Sequence, residues 1–191
     1  MDKSQLRKDI KSRLAAMTPQ ARAEKSKAIA RFVLDSDPFK TASVVMAFLP
    51  LPEEVDTTAM ILAAWQQGKS VVVPKILPQQ RHIIPVEIHS LEHGLELDRM
   101  GIRNPISGTP VPYADIDLVI TPGLGFDRQG KRLGRGGAYY DKFFAVSGLR
   151  AAKWAVCFSE QLCPAIPVDA HDIPVDAVVT EHEVIQCSKK V

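Results

Sequence analysis

Residues 43–49 read SVVMAFL, residues 57–67 read TTAMILAAWQQ, and residues 70–74 read SVVVP. The first and third are unbroken apolar runs, the pattern of strands covered on both faces. The middle one repeats apolar side chains at helical period and gives way to Gly68, a natural residue just beyond a helix end. Strand, helix and strand make a βαβ unit. Its two strands are expected to lie parallel in one sheet.

The same alternation extends outward. DLVITPG (117–123), KWAVCF (153–158) and VDAVVTE (175–181) read as further buried strands, with 175–181 the last of the chain. RHIIPVEIHS (81–90) reads as an additional strand, and 91–114, rich in Gly and Pro, as irregular surface structure. Toward the amino end, Leu6, Ile10, Leu14 and Met17 recur at the spacing of one helix face. Thr18-Pro19 looks like an N-cap followed by proline at the first helical position. The helix it opens is expected to carry Ala28, Ile29, Phe32 and Val33 inward and to stop near 35–38. No repeat, linker or low-complexity tract divides the chain. The expectation is a single three-layer α/β domain over 1–191, with a mostly parallel sheet and helices on both faces.

Composition narrows the function classes. The 191 residues are 46% hydrophobic and 24% charged, ordinary globular values, with a net charge of +2. That balance makes no case for nucleic acid. Residues 1–31 are basic (Lys3, Arg7, Lys8, Lys11, Arg13, Arg22, Lys25, Lys27, Arg31), yet they contain no aromatic residue for stacking bases. Cys157, Cys163 and Cys187 lack CxxC spacing, which points to reduced thiols and a cytoplasmic location. Cys157 and the two tryptophans, Trp65 and Trp154, read as core. His89 and His93 share i,i+4 spacing but have no third ligand nearby. With no apolar run near the roughly 20 residues that span a bilayer, and no apolar leader, membrane association is not expected.

In such folds ligands sit beyond the carboxyl ends of the strands. Three segments fall there: LPLPEEVDT (49–57), TPGLGFDRQGKRLGRGGAYYD (121–141) and the polar stretch after 158. The second is the most informative. It fits neither the P-loop nor the dinucleotide fingerprint. Its glycines let backbone N–H groups approach an anion, and a helix starting near Gly137 would add its positive end. Arg132 and Arg135 offer bidentate donors, Tyr139 and Tyr140 offer flat faces and hydroxyls, and Asp141 offers a magnesium ligand. The competing reading is a glycine-rich turn whose tyrosines pack as core and whose Asp141 pairs with a nearby arginine.

PGLGFDRQGKRLGRGGAYYD closely resembles the signature of the 5-formyltetrahydrofolate cyclo-ligases, also called methenyltetrahydrofolate synthetases. The likeness continues through Lys3 and Arg7, FLPLPEEVDT, Gly68-Lys69 with VVVP, Gly101-Ile102-Arg103-Asn104-Pro105, and DAHDIPVDAVVTE, in order along nearly the whole chain. Three positions depart from the pattern. Ala138 stands where the family usually has glycine, Gly137 where some members carry lysine, and Asn104 where glutamate is usual.

The resemblance implies conversion of 5-formyltetrahydrofolate to 5,10-methenyltetrahydrofolate, with ATP as co-substrate and Mg2+ as cofactor. The implied course is phosphorylation of the formyl oxygen followed by attack of N10. It implies ATP contacts from Lys3 and Arg7 and from Arg132, Leu133, Gly134, Arg135, Gly136, Gly137, Ala138, Tyr139 and Tyr140. Arg135 and Tyr140 take catalytic positions. Leu49, Glu54, Arg135 and Tyr139 meet the folate, and Asp141 and Asp172 hold the metal. The partners implied are 5-formyltetrahydrofolate and MgATP, with no nucleic acid and no membrane, for a monomer or weak dimer. A non-catalytic folate- or nucleotide-binding paralogue is the alternative.

Overall fold

The computed structural model describes residues 2–98 and 101–187. Helix α1 (Lys3–Ala15) is capped by Asp2, whose carboxylate accepts from the Gln5 N–H. Helix α2 (Pro19–Leu34) starts as its sequence predicts, with the Thr18 hydroxyl accepting from Ala21 N and Pro19 in the first turn. A short α3 (Asp37–Thr41) leads into strand β1 (Val44–Ala47). The βαβ unit is completed by α4 (Thr58–Gln66) and β2 (Ser70–Leu77), and β1 and β2 are parallel in the register Val44↔Ser70. Strand β3 (His82–Glu87) returns antiparallel to β2.

Beyond a small ribbon of β4 (Leu95–Leu97) and β5 (Arg103–Pro105), strand β6 (Leu118–Thr121) pairs with β1 from the other side. A second ribbon, β7 (Gly125–Phe126) with β8 (Arg132–Leu133), precedes helix α5 (Tyr139–Phe144). Strands β9 (Ala152–Val156), β10 (Ala177–Val179) and β11 (Val184–Gln186) finish the sheet. Its order is β11-β10-β9-β6-β1-β2-β3, parallel from β10 to β2 with an antiparallel strand at each edge.

The five parallel strands follow the 2-1-3-4-5 winding of flavodoxin-like folds. The order reverses between β1 and β6, so right-handed crossovers leave on opposite faces. Side-chain alternation fits this arrangement. Val45 and Ala47 pack with α1, α2 and α4 on one face, whereas Met46 packs on the other with Phe143 and Phe144 of α5. The second face carries far less helix than the first.

Four local expectations are corrected. Phe32 is 36% exposed, because Ser26, Ile29, Ala30 and Val33 form the inward stripe of α2. Residues 91–114 hold the β4–β5 ribbon rather than only irregular chain; positions 99 and 100 lie outside the described residues. β10 is not the last strand, since the chain turns back at Thr180–Glu183 to add β11. Helix α5 begins at Tyr139, two residues later than expected, and has only six residues. Among the described residues no helix is long and apolar enough to cross a membrane.

Candidate active site

A cleft of about 150 Å3 opens where the sheet order reverses, beyond the carboxyl ends of β1 and β6. Phe48, Leu49, Leu51 and Glu54 enter it from the segment after β1, and Pro122 and Gly123 from the end of β6. Pro74 and Ile76 of β2, with Ile102 and Arg103 of the first ribbon, make a further wall. The glycine-rich segment closes it through Arg132, Gly134, Arg135 and the run Gly137–Asp141.

The long segment 121–141 is delivered to this place by the β7–β8 ribbon. Asp127, 2% exposed, organises its turn: the carboxylate accepts from Gln129 N and Lys131 N at 3.0 Å and from Ile166 N at 3.2 Å. Gly130 has φ +83°, and a Cβ there would stand 2.4 Å from the Val175 carbonyl. FDRQG is therefore a folding element, whose product is the placement of Arg132. Further on, a Cβ on Gly137 would meet the Tyr139 ring at 2.5 Å, so the backbone is the surface against which that ring lies. Ala138, between them, sits in the left-handed region at φ +53°, ψ 24°.

Charge pairing dominates the cleft. Arg132 and Asp141 are 7% and 8% exposed, with Nη2 2.8 Å from Oδ1, an ion-pair contact rather than an aligned hydrogen bond. Asp141 also accepts from Ile173 N at 3.3 Å. The Arg132 guanidinium lies over the Tyr140 ring at 5.6 Å and the Phe144 ring at 5.9 Å. Its Nε and the Tyr140 hydroxyl are buried with no hydrogen-bond partner among the described residues. Burial pushes the Tyr140 hydroxyl well above its ordinary pKa, so at neutral pH it is a donor, not a base. Arg135 reaches across to the segment after β1, with Nη2 2.9 Å from Glu54 Oε1 and 3.0 Å from Glu53 Oε1. The second oxygen of Glu54 accepts from Leu51 N at 3.0 Å.

Outside the cleft, α1 binds two loops with the residues that its spacing places on one face. Lys3 Nζ stands 2.6 Å from Asp169 and 2.5 Å from Asp172, and Arg7 Nε donates to the Gly134 carbonyl at 2.9 Å. Burial opposes ionisation of Asp172, but the bonds from Lys3 and Asp169 N prevail and hold its carboxyl below the ordinary range.

Leu49, Glu54, Arg132, Gly134, Arg135 and 137–141 thus line one cleft, while Leu133 is buried beside it. Lys3, Arg7, Gly136 and Asp172 do not line it, although Arg7 and the Ile173–Asp141 bond tie their loops to it. The pairing of Asp141 with an arginine, one element of the plainer reading of this segment, is present as well.

The polar stretch after residue 158 is structural. Gln161 accepts from Phe158 N and donates to the carbonyls of Gly123 and Leu124. Ser159 and Glu181 anchor Lys25 of α2. Sequence reasoning missed Glu53, which shares Arg135, and the wall from the first ribbon. Its docking is made by Asn104, whose amide accepts from Ile76 N at 2.9 Å and donates to Ile76 O at 3.4 Å. An ionised glutamate could only accept.

Residues 1–181 match the model of the 5-formyltetrahydrofolate cyclo-ligase family. The mouse 5-formyltetrahydrofolate cyclo-ligase is 33% identical over 92% of both chains. The Escherichia coli K12 protein of the same name is 30% identical over 92% of this chain and 98% of its own. The solution structure of Aquifex aeolicus 5,10-methenyltetrahydrofolate synthetase superposes with a TM-score of 0.85 at 30% identity, covering 100% of this chain and 95% of that one. Sequence and fold converge: this chain belongs to the 5-formyltetrahydrofolate cyclo-ligase family.

Proposed function

We propose that the protein converts 5-formyltetrahydrofolate to 5,10-methenyltetrahydrofolate at the expense of ATP, releasing ADP and phosphate. The observation that carries this reading is the cleft at the β1/β6 reversal, where a glycine- and arginine-rich turn faces an apolar wall ending in a carboxylate. A formamide carbonyl is a poor electrophile and its oxygen a poor leaving group. Phosphorylation of that oxygen removes both obstacles, after which N10 attacks and phosphate departs. Catalysis of this kind is largely positioning and charge neutralisation.

Glu54 offers the acceptor that the N–H edge of a pterin requires, and Leu49 and the Tyr139 ring bound its slot. Glu54 now holds Arg135 at 2.9 Å, so on this reading Arg135 leaves Glu54 as the folate enters. Freed, Arg135 is the cation placed to meet the transferring phosphoryl group. Tyr140, neutral and unpartnered, donates a hydrogen bond, while Lys3, Arg7 and the backbone of 132–140 serve the phosphates.

Asp141 and Asp172 suit a hard divalent cation: both are oxygen ligands, and the Ile173–Asp141 bond holds their two segments together. Bound there, Mg2+ would supply charge neutralisation for phosphate oxygens. We read 1–191 as one catalytic unit, a monomer or weak dimer, acting in the cytoplasm on small molecules without nucleic acid or membrane.

The test combines the protein with Mg2+, ATP and 5-formyltetrahydrofolate and follows methenyltetrahydrofolate by absorbance, with ADP counted in parallel. Equal yields of the two products are expected. Folate binding without product would leave only the non-catalytic paralogue.

A further inference from the structure

Five charged side chains line the cleft: Glu54, Arg103, Arg132, Arg135 and Asp141. Four are paired among themselves or with Glu53, Arg132 with Asp141 and Arg135 with both glutamates. Arg103 has no ion-pair or hydrogen-bond partner for its guanidinium among the described residues, although it is half-buried. An arginine without a partner on the wall of a cleft whose other charges are paired offers a binding site for an anion, because its planar fork takes a carboxylate in two parallel hydrogen bonds.

Its mounting is rigid. Arg103 begins β5, whose neighbour Asn104 pairs through its side-chain amide with both backbone groups of Ile76. The ribbon's turn is closed by Asp98, which accepts from Ile102 N at 2.9 Å. Lys75 donates to the Ile106 carbonyl at 3.0 Å, fixing the other end of the ribbon on β2. Ile102 and Ile76 add apolar surface to the same cleft. The glycine-rich turn and Glu54, which suit phosphate and pterin, are supplied by other segments.

We infer that Arg103 binds a carboxylate of the glutamyl tail of the folate. The inference rests on the reading of the cleft as the folate site. It follows from the chemistry of that ligand, which carries a hydrogen-bonding ring, a flat apolar benzoyl group and carboxylates. The cleft wall holds a counterpart for each: Glu54 with the tyrosines, apolar Leu51, Ile76 and Ile102, and Arg103. Each added glutamate brings another negative charge, so Arg103 also favours longer tails.

The experiment compares 5-formyltetrahydrofolate, its triglutamate and 5-formyltetrahydropteroate, which lacks the tail, in the wild type, Arg103→Gln and Arg103→Lys. The wild type is expected to favour the glutamyl over the pteroyl substrate about tenfold in kcat/KM, with a smaller margin at high salt. Arg103→Gln should bring the two within about twofold through KM for the folate, and Arg103→Lys should restore part of the preference. Equal losses on all three substrates, or a rise in KM for ATP instead, would overturn the inference while leaving the reaction intact. If the wild type neither binds nor turns over any of the three, the reading of the cleft fails, and the inference with it.

Discussion

Replacing Ala138 with glycine should make the protein more stable, the opposite of what alanine-to-glycine changes do in ordinary helices. Ala138 occupies φ +53°, ψ 24°, and makes no side-chain cap bond to α5. An L-residue with a Cβ is disfavoured there by about 1–2 kcal/mol. Glycine removes that cost and adds about 0.4–1 kcal/mol of lost chain entropy on folding. The backbone bond from Lys142 N to the Ala138 carbonyl, 3.1 Å, does not depend on the side chain. The net gain is about 0.5–1 kcal/mol, or a Tm rise of about 1–4 °C for a chain of this size. Urea unfolding followed by circular dichroism reads it as a higher midpoint at unchanged slope. Ala138→Asn should fall between alanine and glycine, and Ala138→Val should lie well below alanine, since β-branching tolerates positive φ least. A lower midpoint for Ala138→Gly, or a valine variant as stable as the parent, would refute the reasoning.

Asp141→Asn should cut turnover by about 100-fold or more and lower stability by about 3 kcal/mol, because it leaves the buried Arg132 without its carboxylate; retained activity would disprove the metal assignment. Lys3→Ala should raise KM for ATP about fivefold to tenfold with a smaller effect on the folate, as measured by steady-state kinetics. Glu181→Gln should cost about 1–3 kcal/mol at pH 7. Burial opposes the charge of Glu181, but hydrogen bonds from Lys25 and Ser159 outweigh it and lower its pKa. Its stabilisation is therefore complete above the unfolded value of about 4.3 and fades as pH falls through the lower folded value. Denaturation midpoints of wild type and variant should accordingly converge on acidification below about pH 4.

Long apolar runs were legible because their physics is local. Residues 43–49, 70–74 and 117–123 have nowhere to go except between two covered layers, and the sheet order follows once the crossover hand is given. Short elements were harder. β11 and the β4–β5 ribbon, each with strands of three residues, are made by pairings that no single window announces. Phe32 keeps helical period with Ile29 yet falls just off the buried stripe. At the site, the glycine-rich motif and Glu54 were visible as residue types at strand ends. Their present partners were not, since the Arg135–Glu53/Glu54 and Lys3–Asp172 pairs join segments more than 80 residues apart. Within the signature, Asp127 shows how a polar motif residue can serve the fold rather than the ligand.

The two ion pairs at the cleft differ in what a ligand can do to them. Arg135, Glu53 and Glu54 meet in partial contact with solvent, with side chains 35%, 39% and 11% exposed. Pairs of that kind contribute about 0–1 kcal/mol, so a substrate that offers Glu54 hydrogen-bond donors and Arg135 a phosphate replaces the pair at little loss. Arg132 and Asp141 are different: both are enclosed, and separating them strands a charge at several times that cost. On this argument they should stay together while ligands come and go. The free Nε of Arg132 and the unpartnered Tyr140 hydroxyl then remain fixed donors beside a movable Arg135. On the proposed reaction, fixed donors would cost no reorganisation when charge develops on the formyl oxygen, whereas a movable cation would admit the folate first and close on the phosphoryl group afterwards. A double-mutant cycle separates the two pairs. Glu54→Gln with Arg135→Gln should couple by less than about 1 kcal/mol in unfolding, and Arg132→Gln with Asp141→Asn by about 2 kcal/mol or more. Equal coupling in the two cycles would remove the distinction between placeholder and scaffold.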